Sequence, residues 1–138
     1  MATQTLEHAA IRFVRRALQV DGLVSAGFGL LLTLGAGVVG SITGIEATGF
    51  ILVVGLVALV YGAGLLYLSF YGGIDRQLLP VIVALNVVWV VGSLYLLIAD
   101  PFTLTNEGRW FVLLQGDLVG AFAIWQYVGL RRMRQAGL

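Results

Sequence analysis

The chain has no cysteine, no lysine and a single histidine, His8. Without cysteine there is no disulfide, no thiol redox chemistry and no iron–sulfur ligation. Without lysine there is no retinal-type Schiff base and no lysine nucleophile. One histidine excludes a bis-histidine haem within one subunit, and one such ligand makes no metal site. Charge is scarce too: 11% of the 138 residues are charged, for a net charge of +1. Bulk charge therefore gives no case for a nucleic-acid partner, and none is expected.

What abounds is apolar surface. The chain is 59% hydrophobic, with a mean hydropathy of +0.98, and a soluble core of this size has no room for it. Lipid must act as solvent for part of the molecule, so the first expected partner is the bilayer itself. Runs at 22–45, 49–71, 78–99 and 110–130 each exceed the ~20 residues a helix needs to cross ~30 Å of hydrocarbon. The connections are short, which predicts antiparallel neighbours and an all-α, four-helix transmembrane bundle with up-down-up-down order. Gly44, Gly72-Gly73 and Gly108 mark turns, and Pro80 falls in the first turn of the third span, where a missing N–H costs least. Trp110, Tyr71, Tyr95 and Tyr127 lie near span ends, as an aromatic belt requires. No repeat and no linker divides the chain, so residues 1–138 read as one membrane domain.

The arginines orient it. Arg12, Arg15 and Arg16 precede the first span, Arg76 lies between the second and third, and Arg131, Arg132 and Arg134 follow the fourth. Arg109 alone falls between the third and fourth. Short loops rich in Lys and Arg stay in the cytoplasm, which predicts both termini, including a 131–138 tail, on the cytoplasmic side of an inner membrane. Arg15-Arg16 ahead of an apolar run resembles the start of a signal peptide. The run is too long, Asp21 interrupts it and no small-residue cleavage site follows, so an uncleaved anchor is expected. Within residues 1–17, Leu6, Ala9, Ala10, Phe13, Val14 and Ala17 share one helical face, opposite Glu7, His8, Arg12, Arg15 and Arg16. That pattern predicts a short interfacial helix lying on the cytoplasmic leaflet. Arg12, Arg15, Arg16, Arg131, Arg132 and Arg134 are expected at lipid phosphates, each worth about 1 kcal/mol near an anionic surface.

Two features carry candidate function. Along the first span Asp21, Ser25, Gly29, Thr33, Gly37 and Ser41 recur every fourth residue, a small-residue stripe that lets another helix approach closely. Ala58 and Gly62, and Gly116 and Gly120, offer matching surfaces. The stripe serves either packing inside the bundle or a homo-oligomer seam. The second feature is the intramembrane acids, each of which needs a partner or a function. Asp117 lies about 10 Å into the fourth span by helical rise, and is expected to be buried, either neutral or hydrogen-bonded. Its depth matches Thr33, Tyr61, Trp89 and Ser93, and Asn86, Trp89 and Ser93 share one face of the third span. These six residues form a candidate polar, ligand or proton site. A second, inner layer would gather Asp21, Tyr67, Asn86 and Gln126, with Asp21 near enough to the interface for water to reach it.

No catalytic set assembles from these residues. Leu114-Gln115-Gly116-Asp117 resembles the Gly-x-Gly-Asp motif of intramembrane aspartyl proteases but lacks its first glycine. The two acids differ in depth by more than about 10 Å, too far to share a proton. No cofactor or metal is expected. Asp100, Glu107 and Arg109 form a solvated outer loop or an outer gate.

Asp21-x3-Ser25-x3-Gly29, Asn86-x2-Trp89-x3-Ser93, Gln115, Gln126 and Gly129-Leu130-Arg131-Arg132 together resemble a group of small bacterial four-span integral membrane proteins with which no activity is associated. The resemblance covers the membrane region, implies a bacterial inner membrane, and places Asn86, Trp89 and the two glutamines on a shared inward face. Small multidrug transporters also have four spans, but their glutamate in the first span has no counterpart here. The expected function is a non-enzymatic structural or accessory protein that packs its helices against itself or a membrane-protein partner. The alternative is a small proton-coupled transporter or lipophilic-ligand binder using a buried aspartate.

Overall fold

The computed structural model describes residues 2–73 and 76–138, which contain helices and no strand. The helices are α1 (Ala2–Leu34), α2 (Ala36–Thr43), α3 (Thr48–Phe70), α4 (Leu78–Ala99) and α5 (Asn106–Gln135). All but α2 are long and apolar enough to cross a membrane. Their outward faces carry Leu23, Val53, Val60, Val88 and Ile98, each more than half exposed. Such faces suit lipid, where a helix satisfies its own backbone and leaves apolar side chains to meet acyl chains.

The eight-residue α2 completes the first span. The Gly35 N–H donates to the Leu31 carbonyl at 2.8 Å, and the Gly35 carbonyl accepts from the Val39 N–H at 2.8 Å, so the helical path runs through the irregularity. Gly44 ends it at φ 84°, a left-handed cap that a side chain would strain. α5 begins at Thr105, whose Oγ1 accepts from the Gly108 N–H at 3.0 Å, a side-chain cap for an otherwise unpaired donor. Thr105 also donates from Oγ1 to the Ile42 carbonyl at 2.5 Å and from its N–H to the Thr43 carbonyl at 3.0 Å. The last carbonyls of α2 are thus satisfied by the start of α5.

The N-terminal segment departs from the expected interfacial helix. α1 runs unbroken for 33 residues, about 50 Å at the helical rise. Ala10, Val14 and Leu18 are buried in one cluster with Leu65 of α3, Leu79 and Ile82 of α4, and Leu130 and Met133 of α5. The apolar stripe exists, and its Ala10, Val14 and Ala17 are buried against protein, while Leu6 and Ala9 stay exposed. Ending the helix near Arg16 would leave terminal N–H and C=O groups unpaired, whereas continuing it brings the stripe against the equally extended α5.

In space α3 packs on α1, α1 meets α5, and α5 packs on α4, with no close backbone approach between α3 and α4 among the described residues. Partners run in opposite chain order: Gly22 lies against Leu65 and Gly62, and Gly29 against Gly55 and Leu59. A methyl group added at Gly29 would lie 2.7 Å from the Gly55 carbonyl oxygen, and one at Gly62 would lie 2.7 Å from that of Gly22. Both distances are shorter than atoms tolerate, so glycine is what permits the α1–α3 contact. The small-residue stripe does not continue past the irregularity at Gly35: Gly37 has open space around it and Ser41 is exposed. At that end the interior is filled by Leu32, Ala36, Ile51, Leu104 and Val112, with the Phe28 and Phe111 rings stacked at 5.7 Å.

Six of the seven like-placed arginines meet at one end of the bundle through α1 and α5, where Val14 abuts Gly129 and Arg132 lies over the Phe13 ring. Arg76 joins them by donating to the Leu138 carbonyl. Arg109 sits at the other end, ion-paired to Asp100 at 2.9 Å and donating to the Leu97 carbonyl at 3.2 Å.

Candidate functional site

A buried polar cluster joins four helices at Asp21, which is fully enclosed, as is Gln126. Ser25, one turn along α1, donates to Oδ1 at 2.9 Å. Oδ2 accepts from Gln126 Nε2 of α5 at 2.6 Å and from Asn86 Nδ2 of α4 at 2.9 Å. Asn86 Nδ2 also donates to Gln126 Oε1 at 2.8 Å. Tyr61 of α3 donates to Asn86 Oδ1 at 2.9 Å and lies 3.5 Å from Asp21 Oδ2. Its one proton serves one acceptor at a time, and the shorter bond favours Asn86.

Every bond to the Asp21 carboxylate is thus donated to it. Asn86 and Gln126 carry two amide hydrogens each, and the geometry uses both from Asn86. Such a cluster fixes rotation and register for all helices that enter it. Among the described residues no three His, Asp or Glu side chains gather as metal ligands.

Two further placements differ from the depth-matched layers. Asp117 is exposed on the outer face of α5, apart from Asn86, Trp89 and Ser93. Tyr67 is 64% exposed, its ring beside that of Tyr71 at 5.7 Å, so it does not join Asp21. Asp21 itself, expected within reach of water, is shut off from it. The causes are the same: rise along a helix gives depth but not direction around the axis.

A second polar group lies on the α4–α5 contact. Trp89 Nε1 donates to Gln115 Oε1 at 2.7 Å, and Gln115 Nε2 donates to Ser93 Oγ at 2.7 Å. Gln115 is the member that depth matching missed. It lies eleven residues before Gln126, three turns to within about 20° at 100° per residue, so the two glutamines share a face. Thr33, by contrast, stays apart from both groups: its Oγ1 is buried without a hydrogen-bond partner, near Gly55. The arginines expected at lipid phosphates, Arg12, Arg15, Arg16, Arg131, Arg132 and Arg134, are all exposed.

Four helices able to cross a membrane, packed in one all-helical bundle, mark a multi-pass helical membrane protein. No protein-family model, curated protein or solved structure matches the chain.

Proposed function

We propose that the chain is a structural or accessory protein of a bacterial inner membrane, without enzymatic activity, acting by helix packing with another copy of itself or with a membrane-protein partner. Its spans run up-down-up-down with both termini in the cytoplasm. The observation that carries the reading is Asp117. It sits about 10 Å inside the span by helical rise, on the outer face of α5 among exposed Leu113, Leu114, Leu118 and Ala121. A carboxylate facing acyl chains costs several kcal/mol, and a second polypeptide on that face removes the cost by supplying a donor. The interior supports the same reading, since the Asp21 cluster and the apolar clusters at either side of it join the helices to one another.

The absence of native cysteine makes the test clean. A single cysteine at Ala121, one turn from Asp117, carrying a thiol-attached photo-crosslinker, is expected to cross-link in membranes to a second copy or to a partner. One at Val57, on the outer face of α3, is expected to remain monomeric. Adding Asp117→Leu to the Ala121→Cys chain should lower the cross-linked fraction severalfold. No cross-link at Ala121, or one that Asp117→Leu leaves unchanged, defeats the proposal.

The topology has its own measurement. A reporter fused after Leu138 should give a cytoplasmic signal, and a periplasmic one would refute the layout. A second reading, a small proton-coupled carrier or lipophilic-ligand binder, draws on Asp21 as a fully buried carboxyl. Asp117 serves it poorly, because a carrier needs its coupling acid inside a path across the bundle.

A further inference from the structure

Near the arginine-rich end, α1 and α5 leave a groove of about 500 Å³ lined by Ala9, Arg12, Phe13, Arg16, Trp125 and Arg132. Arg12 and Arg16 are one turn apart and share a helical face. Arg132 is held from the other side, its guanidinium 4.2 Å from the centre of the Phe13 ring, while Phe13 meets Trp125 edge-on at 6.2 Å. No acidic side chain lines the groove, and among the described residues none forms an ion pair with these three arginines. Three guanidinium groups therefore face one concavity with aromatic walls and no internal counter-charge.

We propose that this groove binds the headgroup of an anionic phospholipid. Guanidinium forks match phosphate oxygens in paired hydrogen bonds, which accounts for the charge. The surface that continues from the groove selects a lipid over a free anion. One and two turns further along the same stripe of α1 come Val20 and Val24, then Leu31, all exposed. A stripe of this kind takes acyl chains, and Trp125 stands at the join, where an indole prefers the level of the headgroups. Arg131 and Arg134 lie outside the groove and serve as internal controls.

The test is native mass spectrometry of the full chain released from detergent micelles with added phosphatidylglycerol or phosphatidylcholine. Wild-type protein should retain phosphatidylglycerol in clear preference to phosphatidylcholine. Arg12→Gln, Arg16→Gln and Arg132→Gln should each lower phosphatidylglycerol occupancy about fivefold, the effect of one arginine at an anionic surface. Arg131→Gln with Arg134→Gln should change it less than twofold, the residual expected of charges outside the site. All five positions are exposed, and unchanged elution and helicity of each variant would show that folding is preserved. Equal retention of the two lipids overturns the proposal. So does equal loss in the control variant, which would mean diffuse attraction, or displacement of the lipid by millimolar inorganic phosphate, which would mean a free-anion site.

Discussion

Replacing Asp21 with alanine is expected to destabilise the folded bundle by about 3 kcal/mol, as the partners of a buried acceptor lose it. Asn86 and Gln126 each donate to Oδ2, and both are buried with no water to replace the lost acceptor. Measured couplings between polar groups in membranes average nearer 0.6 kcal/mol each, so an effect of this size requires the cluster to fail as a unit. Unfolding in mixed detergent, followed by helicity, is the measurement. A loss below about 0.5 kcal/mol, no more than one ordinary membrane hydrogen bond, would mean that the cluster does not hold the helices.

Asp21→Asn separates structure from proton coupling. With its carbonyl oxygen in the place of Oδ2, asparagine keeps the bonds from Asn86 and Gln126, and its amide can donate to Ser25 Oγ, which both donates and accepts. The substitution is therefore expected to cost less than about 1 kcal/mol while removing the carboxyl group of the cluster. If the chain carries protons through Asp21, Asp21→Asn abolishes substrate-dependent proton flux in liposomes. If it is a scaffold, the variant packs and associates as the wild type does.

The second large effect is expected at Gly62. Leucine there must displace α1, because even the first added carbon would lie 2.9 Å from the Ala26 Cα and 2.7 Å from the Gly22 carbonyl oxygen. Overpacking of this kind costs about 1–3 kcal/mol where side chains can give, and backbone atoms give less than side chains. Gly62→Leu should therefore fall at or above the top of that range in the same unfolding measurement. Gly64, two residues on, has nothing within 4 Å of an added Cβ. Gly64→Ala is expected to be neutral or to stabilise by up to about 1 kcal/mol through helix propensity. Equal stability of Gly62→Leu and wild type would show that the α1–α3 contact is looser than this geometry.

Much of the site was legible in residue spacing. Asn86 and Gln126, expected beside Asp21, do meet it. Gly29 and Gly62, marked as small positions, do sit at the close approach. Their counterparts Gly22 and Gly55 went unmarked because the i+4 rule steps over them: Gly22–Gly29 and Gly55–Gly62 repeat every seventh residue. Asp117 was misplaced although a signal existed. It lies nine residues before Gln126, half a turn out of phase at about 100° per residue. A helix that buries Gln126 therefore turns Asp117 away. Tyr61 was set in the wrong layer because depth counted along each span does not give the register between spans: Gly62 packs against Gly22 and Ala26, which brings Tyr61 level with Asp21.

By itself the sequence determined the four long apolar helices and the gathering of basic residues at their ends. Both follow from local quantities: the length of a run, and the order in which short loops carry charge. The fate of each polar side chain was decided only by the tertiary structure. Whether Asp21 met water or three amide and hydroxyl donors depended on how α1, α4 and α5 were rotated about their axes. That rotation is set by where glycine lets two backbones touch and by where an amphipathic N-terminal stripe finds protein to pack against.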